Sequence, residues 1–235
     1  ADVIRPPEVV RVHPPSRQPV PDEGHTFDPP TQKVTLRRQG RRIAYDIALL
    51  GPHQADNFAV AVGLAEVLAE QGYGIDEPHI AQGALKVQWP ARLQIMQARP
   101  WMVTDCAHNE QSARALAAAL PSLLEHDRLV AILGVSEDKD AGMIAEALAP
   151  VTDVAILTEA TIQRAMPVER LRAKTEQYWD EYRTTETVAE AIALATDMSN
   201  PADCHLVTGS FYVVGEFLEL FYHKSPKRRR YHGSE

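Results

Sequence analysis

The stretch Trp101-Met-Val-Thr-Asp-Cys-Ala-His-Asn109 decides the fold, because an apolar run is followed at once by polar side chains. A short, nearly continuous apolar run is typical of a strand that is buried on both faces. Three later runs repeat this pattern. They are Leu129-Val-Ala-Ile-Leu133, Val154-Ala-Ile-Leu-Thr158 and Cys204-His-Leu-Val-Thr208. All four predict strands whose last residues are small or polar.

Helical patterns separate and follow these runs. They cover residues 110–125, 139–149, 166–174, 186–198 and 212–222. Strands that alternate with helices predict an α/β fold, with a Rossmann-like, mostly parallel sheet and helices on both faces. We expect this domain to cover residues 89–235. Its end, Lys224-Ser-Pro-Lys-Arg-Arg-Arg230, is predicted to be a disordered basic tail.

Residues 1–88 are expected to form a separate domain. Eight of the seventeen prolines lie in residues 1–35, where they disfavour helix. Val9-Val-Arg-Val12 predicts an edge strand, and two strands around Arg38-Gln-Gly-Arg41 predict a hairpin. Periodic apolar residues predict helices at 54–71 and 77–85. The apolar residues look too few to close a core, so we expect a partner outside the chain.

The composition excludes several classes of protein. With 24 basic and 32 acidic residues, the chain is not expected to bind nucleic acid in general. Two cysteines make neither a disulfide framework nor a zinc site, and no ligand spacing predicts a metal site made wholly by this chain. Because the sequence has no membrane-length apolar run and no secretory signal, we expect a cytoplasmic protein without membrane contact.

Polar residues that could carry chemistry gather around the first predicted strand. Asp105, His108 and Asn109 follow it, and Arg92 precedes it within Trp89-Pro-Ala-Arg-Leu93. Ligands of open parallel sheets bind beyond the carboxyl ends of the strands. The group therefore suits an anionic, nucleotide-like ligand. Structural alternatives remain, because Asn109 could cap the next helix and Arg92 could be an ordinary surface cation.

Two further sites are candidates with structural alternatives of their own. Ser210 follows the last predicted strand, where it could instead cap the helix at 212–222. His53 and Asn57 are four residues apart and can share a helix face. The amide of Asn57 matches the donor and acceptor edge of adenine. From spacing alone, a capping His53 or Gln54 and a solvent-facing Asn57 are the simpler interpretation.

Five motifs in order resemble those of the folylpolyglutamate synthase/dihydrofolate synthase family of the Mur ligase superfamily. They are Leu-Leu-Gly-Pro-His-Gln-Ala-Asp-Asn (49–57), Trp-Pro-Ala-Arg-Leu (89–93), Asp-Cys-Ala-His-Asn (105–109), Gly134 with Asp138-Lys-Asp140, and Thr-Gly-Ser-Phe-Tyr-Val-Val-Gly (208–215). The resemblance covers about residues 45–222. It implies that residues 1–88 are the C-terminal part of the central ATPase domain and that residues 89–235 are the glutamate ligase domain.

The resemblance implies an ATP-dependent amide ligase. Such an enzyme adds L-glutamate to folate, or to dihydropteroate, through an acyl phosphate, and we expect it to be a monomer. By match to the motifs, His53 and Asn57 would lie near the adenine and Arg92 would neutralise phosphate charge. Asp105 would meet the ribose or help to order the site between the domains. His108 and Ser210 would line the site of the incoming glutamate.

The chain departs from the family pattern at three points. Ala91 and Cys106 each replace a glycine of the family motifs, and the N-terminal region with the phosphate loop and the Mg²⁺ ligands is missing. No Gly-x-x-x-x-Gly-Lys-Ser/Thr occurs in the sequence. We therefore expect this chain to be inactive alone. Another Mur-type amino-acid ligase and a stand-alone, non-catalytic nucleotide-binding module remain alternatives.

Overall fold

The computed structural model describes residues 5–15, 30–38 and 40–224. Contacts between residues divide the chain into two compact units. The N-terminal unit comprises Ala1–Gln94 and Ala119–Leu124, and the C-terminal unit comprises Ile95–Ala118 and Glu125–Glu235. The basic tail predicted at 224–230 lies, after Lys224, outside the described residues. The assignment of residues 1–88 and 89–235 to two family domains stays a prediction.

The N-terminal unit contains a three-stranded antiparallel sheet and two helices. The strands are β1 (Glu8–His13), β2 (Gln32–Arg38) and β3 (Arg41–Ile47), and they pair in that order. The helices are α1 (Pro52–Glu70) and α2 (Glu77–Lys86). Gly40 turns the hairpin between β2 and β3 with a φ of 78°, a conformation that glycine adopts without strain. The predicted edge strand, hairpin and helices are confirmed.

This unit has a hydrophobic core of its own, so the expectation that its apolar residues are too few was wrong. The core residues come from β2, β3 and both helices: Val34, Leu36, Tyr45, Ile47, Ala55, Ala59, Val62 and Ala84. Every helical member except Val62 is alanine. Small side chains allow a helix to approach a sheet closely, so a few large residues on the strands fill the space between them.

The C-terminal unit contains a six-stranded sheet with the order β4-β5-β9-β6-β7-β8. The strands are β4 (Gln94–Gln97), β5 (Trp101–Thr104), β6 (Leu129–Leu133), β7 (Val154–Leu157), β8 (Tyr182–Thr184) and β9 (Cys204–Thr208). The pairings from β5 through β9, β6 and β7 to β8 are all parallel. Every residue of β6, β7 and β9 is buried. The α/β class with a mostly parallel sheet is confirmed.

Five helices flank this sheet. They are α3 (Glu110–Leu123), α4 (Ala141–Leu148), α5 (Val168–Thr175), α6 (Val188–Asp197) and α7 (Phe211–Lys224). Capping explains why two of them begin later than the sequence pattern predicts. Asp140 accepts a hydrogen bond from the backbone of Met143, and Thr187 accepts one from the backbone of Glu190. Within the described ranges, none of the helices is long and apolar enough to cross a bilayer.

Candidate functional site

The carboxyl ends of β5 and β9 bring candidate residues of the C-terminal unit to one edge of the sheet. These strands are parallel neighbours, and the backbone N–H of Asp105 donates to the carbonyl of Val207 at 3.1 Å. This bond continues the pairing beyond β5. Asp105 is only 5% exposed and Ser210 only 4%. The sheet therefore determines the position of both residues, which lie at the edge where ligands of this fold class bind.

His108 has a fixed orientation at this edge. Its Nδ1 lies 2.9 Å from the carbonyl oxygen of Cys106. Because a carbonyl only accepts hydrogen bonds, Nδ1 carries a proton, which leaves Nε2 as the ring atom that can exchange a proton with a ligand. The ring also packs against Phe211, with 5.5 Å between ring centroids. Phe211 directly follows Ser210 in the chain. The contact therefore brings His108 close to the segment that carries Ser210, as the sequence predicted for these two residues.

Two candidate residues also cap helices, as their structural alternatives predicted. Asn109 Oδ1 accepts a hydrogen bond from the backbone of Ser112 at 2.8 Å, at the start of α3. Ser210 Oγ accepts one from the backbone of Val213 at 3.1 Å, at the start of α7. Capping uses the oxygen of Ser210 and leaves its hydroxyl proton to donate elsewhere. The two roles of Ser210 are therefore compatible.

Glycines allow the strand ends to approach closely. A Cβ atom on Gly134 would lie 2.7 Å from the carbonyl oxygen of Thr158. One on Gly209 would lie 2.5 Å from the carbonyl oxygen of Gly134. Gly209 also has a φ of 102°. The close packing of the ends of β6, β7 and β9 therefore requires glycine at both positions, which lie in two of the five motifs.

In the N-terminal unit, His53 lies half-buried in the first turn of α1. Burial lowers the pKa of His53, and the positive charge of Arg92 lowers it further. Both effects favour the neutral form of the ring. Its Nδ1 is buried and has no hydrogen-bond partner among the described residues. A neutral ring beside a guanidinium suits the base and phosphates of a nucleotide.

Asn57 is exposed, as its structural alternative predicted, and its Nδ2 donates to Gln54 Oε1 at 3.1 Å. The other part of that alternative, a capping His53 or Gln54, was wrong. Gly51 is the N-cap residue, and no side chain of the described residues caps α1 through a hydrogen bond. Among the described residues, the bond to Gln54 is the one hydrogen bond of the Asn57 side chain, so its carbonyl oxygen and second N–H can serve a ligand.

The loop that carries Arg92 has a left-handed backbone. Ala91 has a φ of 58°, and its N–H donates to Gln94 Oε1 at 2.9 Å. This position is the glycine of the family motif, and glycine adopts such a φ without the steric cost that Cβ brings. Cys106, the other replaced glycine, is buried and does not have a positive φ. The two replacements therefore differ in conformational cost.

The candidate residues fall into two groups, with Arg92, His53 and Asn57 in the N-terminal unit and the others in the C-terminal unit. Sequence reasoning missed Gln32, which contacts the loop before α1, and the ring contact of Phe211. Phe211 lies in a quoted motif, whereas no sequence pattern marks Gln32. Within the described part of the chain, no group of three or more His, Cys, Asp or Glu residues could hold a metal ion.

A protein-family model described as "Mur ligase, glutamate ligase domain" matches residues 91–211. The match covers more than half of the chain. The chain belongs to the Mur ligase family. The resemblance inferred from the five motifs is thereby confirmed at the level of the superfamily, and relatives extend it to the folate branch.

Known relatives of this Mur ligase chain are named for folate chemistry. A probable bifunctional folylpolyglutamate synthase/dihydropteroate synthase of Halobacterium salinarum is 36% identical over 184 residues, which are 78% of this chain and 22% of the relative. A dihydrofolate synthase/folylpolyglutamate synthase of Mycobacterium tuberculosis is 37% identical over 194 residues, which are 74% of this chain and 39% of the relative.

A solved structure shows the same fold. The folylpolyglutamate synthase of Mycobacterium tuberculosis complexed with ADP superposes with a TM-score of 0.72 at 31% identity. The match covers 81% of this chain and 45% of that one. The chain thus spans less than half the length of the relative in each of these three comparisons.

Proposed function

We propose that this chain forms the L-glutamate site and part of the nucleotide site of an ATP-dependent ligase. The ligase joins the amine of L-glutamate to a carboxyl group of a folate or of dihydropteroate. The observation that carries the proposal is the meeting of His108, Ser210 and Phe211 at the carboxyl ends of β5 and β9. The names of the Halobacterium salinarum and Mycobacterium tuberculosis relatives support the substrate class.

The C-terminal unit offers groups that complement both ends of glutamate. The hydroxyl of Ser210 can donate to a carboxylate, and the N-terminus of α7, which begins beside it, favours negative charge. The ammonium of glutamate must lose a proton before its nitrogen can attack an acyl carbon. Nε2 of His108 has the lone pair to accept that proton. We assign proton acceptance to His108 and carboxylate binding to Ser210.

The N-terminal unit offers groups that complement a nucleotide. The neutral ring of His53 and the amide of Asn57 are assigned to the adenine, and the guanidinium of Arg92 is assigned to phosphate, which its planar fork of donors suits. Asp105 is assigned to the ribose. The ADP in the Mycobacterium tuberculosis structure supports nucleotide binding. ATP would phosphorylate the acceptor carboxylate and leave as ADP, and the deprotonated amine of glutamate would then displace inorganic phosphate from the acyl carbon. This chain positions the reactants.

The proposal assigns Mg²⁺ to residues outside this chain. The described residues do not fit a metal site, and no step given above depends on one. We also propose that the ligase is a cytoplasmic monomer. Light scattering on the purified protein measures its mass and checks the oligomeric state.

A stand-alone nucleotide-binding module without catalysis is the second candidate. The absence of Gly-x-x-x-x-Gly-Lys-Ser/Thr from these 235 residues favours it. The upstream reading frame distinguishes the candidates, because a phosphate loop encoded there supports the ligase.

The direct test is a ligation assay with the full-length protein, ATP, L-glutamate and either dihydropteroate or tetrahydrofolate. Mass spectrometry should detect an acceptor that is heavier by one glutamyl residue with at least one of the two. Reactions without ATP or with D-glutamate are the controls. Nucleotide binding without any glutamylated product would reject the ligase and support the module.

A further inference from the structure

The side chain of Gln32, the first residue of β2, holds the segment that leads into α1. Its Nε2 donates to the carbonyl oxygens of Leu49 and Gly51, both at 2.9 Å. Its Oε1 accepts from the N–H of Gly51 at 3.2 Å. Gln32 is 1% exposed. A buried amide with both donors and its acceptor in use is well satisfied, and its removal would leave backbone groups unpaired.

Gly51 needs this support because it is the N-cap residue of α1. N-cap residues commonly use their own side chain to bond the first turn, which glycine cannot do. Gly51 has a φ of 99°, and its carbonyl also accepts from the N–H of Gln54 at 3.0 Å. Gln32 thus fixes the cap from a neighbouring strand and sets the direction in which α1 begins.

The ring of His53 lies against Gly51. A Cβ atom on Gly51 would lie 2.8 Å from Cε1 of His53 and 3.1 Å from its Nδ1. The imidazole therefore lies close against Gly51, the residue that Gln32 holds through hydrogen bonds. Rotation of the backbone at Gly51 would move the ring of His53 and expose its buried Nδ1.

We infer that Gln32 is a positioning residue for the nucleotide: it acts through Gly51 to hold His53 in the orientation that receives the base. The inference rests on the proposed nucleotide role of His53. A ring that is already ordered loses less conformational entropy when the nucleotide binds, and this strengthens the affinity for the nucleotide. Gln32 itself touches no ligand, so its substitution should act on the ring first and on nucleotide affinity second.

Two variants of the full-length protein test this order of events. Gln32→Met keeps the length and burial of the side chain but removes its three hydrogen bonds. Val34→Ala is the matched control. Val34 lies in the same strand, is fully buried in the core of the same unit, and makes none of these bonds. Titration of the His53 ring by NMR gives its pKa, and titration with ADP gives the dissociation constant.

We expect Gln32→Met to raise the pKa of His53 toward the ordinary value of about 6.5. It should also raise the dissociation constant for ADP by roughly 3- to 10-fold. Val34→Ala should lower stability and leave both quantities unchanged. An unchanged pKa of His53 in Gln32→Met overturns the inference, as do equal effects of the two variants.

The outcome separates this inference from the proposed function. If the full-length wild-type protein binds no ADP although Gln32→Met moves the pKa of His53, the nucleotide role of His53 is rejected and its positioning by Gln32 stands. If ADP binds equally well to both proteins and the pKa is unchanged, nucleotide binding stands and the positioning role is rejected.

Discussion

The two units hold their candidate residues by different means. In the C-terminal unit, Asp105 and Ser210 lie just beyond β5 and β9, two neighbouring parallel strands, and both residues are buried. In the N-terminal unit, His53 and Arg92 lie on or beside loops with left-handed backbone, at Gly51 and Ala91. The first arrangement follows from sheet topology. The second depends on individual hydrogen bonds between a side chain and the backbone, from Gln32 to the segment before α1 and from the N–H of Ala91 to Gln94. Substitutions should therefore damage the N-terminal group locally and the C-terminal group only by disturbing the sheet.

The largest effect is expected from Arg92→Ala in the full-length form of the proposed ligase. Loss of a guanidinium from a phosphate should lower kcat/KM for glutamylation by about 10²- to 10³-fold, with an unchanged circular dichroism spectrum. Arg114→Ala is the control, because Arg114 is exposed and bonds only Glu110 among the contacts described for it. A rate for Arg92→Ala equal to that of the control would remove Arg92 from the site.

A buried histidine makes the C-terminal unit sensitive to acid. His205 on β9 is 1% exposed, contacts Ser199 through Nε2 and neighbours the ion pair of Arg128 with Asp203. Burial lowers the pKa of His205 to about 4, whereas an unfolded chain has about 6.5. The unfolded state therefore binds more protons between these values. We expect this contribution to stability to be complete above about pH 6.5 and to fall by about 3 kcal/mol as the pH approaches 4.

Denaturant titrations over this pH range, in wild type and His205→Gln, measure that contribution. The variant cannot take up the proton, so its free energy of unfolding should fall less between about pH 6.5 and pH 4. Identical pH dependence in the two proteins would show that His205 does not titrate as proposed. The N-terminal unit lacks this residue, and its unfolding should be the same in both proteins.

Replacement of Gly134 and of Gly83 by alanine should change the free energy of unfolding in opposite directions. In Gly134→Ala the new Cβ would meet Val213 Cγ2 at 2.5 Å and the Thr158 carbonyl at 2.7 Å, which should cost the C-terminal unit about 1–3 kcal/mol. Gly83 lies inside α2 with no described atom within 4 Å of such a Cβ. Gly83→Ala should therefore stabilise the N-terminal unit by about 0.5–1 kcal/mol. Thermal unfolding measures both, and a neutral Gly134→Ala would contradict the close packing.

The smallest effect is expected from Ala91→Gly. A left-handed backbone conformation destabilises a residue with a Cβ atom by about 1–2 kcal/mol, and glycine relieves this strain. Glycine also loses more conformational entropy on folding, which offsets about 0.5–1 kcal/mol of the relief. Because Ala91 has a φ of 58°, the variant should be more stable by about 0.5–1 kcal/mol. Denaturant unfolding measures the change. A destabilised variant would show that the loop does not have this conformation in solution.

The same contrast explains what could be predicted from the sequence. The four buried strands of the C-terminal sheet could be located within a residue because each is an apolar run with polar residues after it. Strand β8 was missed, because Tyr182-Arg-Thr184 is partly exposed at the sheet edge and has no apolar run. Gln32 was missed because Thr31-Gln-Lys33 is an ordinary polar segment. Its role exists only once β2 pairs with β3 and brings it beside Gly51.

The site residues show the same limits. Asp105, His108 and Ser210 could be grouped from the sequence because parallel strand ends share an edge. The sequence could place His53 and Asn57 at the start of one helix. It could not predict the contact between Gly51 and the ring of His53. Local patterns fix which residues lie at an edge or a helix end, whereas hydrogen bonds between distant segments require the folded chain.

The central claim is that the C-terminal unit binds L-glutamate beside His108 and Ser210. NMR titration of the His108 ring with L-glutamate tests it most directly, with Ser210→Ala as the site variant. Thr187→Ala is the matched control, because it removes a helix cap of the same kind at α6. We predict a saturable shift of the His108 ring signals with L-glutamate, weakened in Ser210→Ala and unchanged in Thr187→Ala. An unchanged His108 signal in the folded wild-type protein at saturating L-glutamate would contradict the claim.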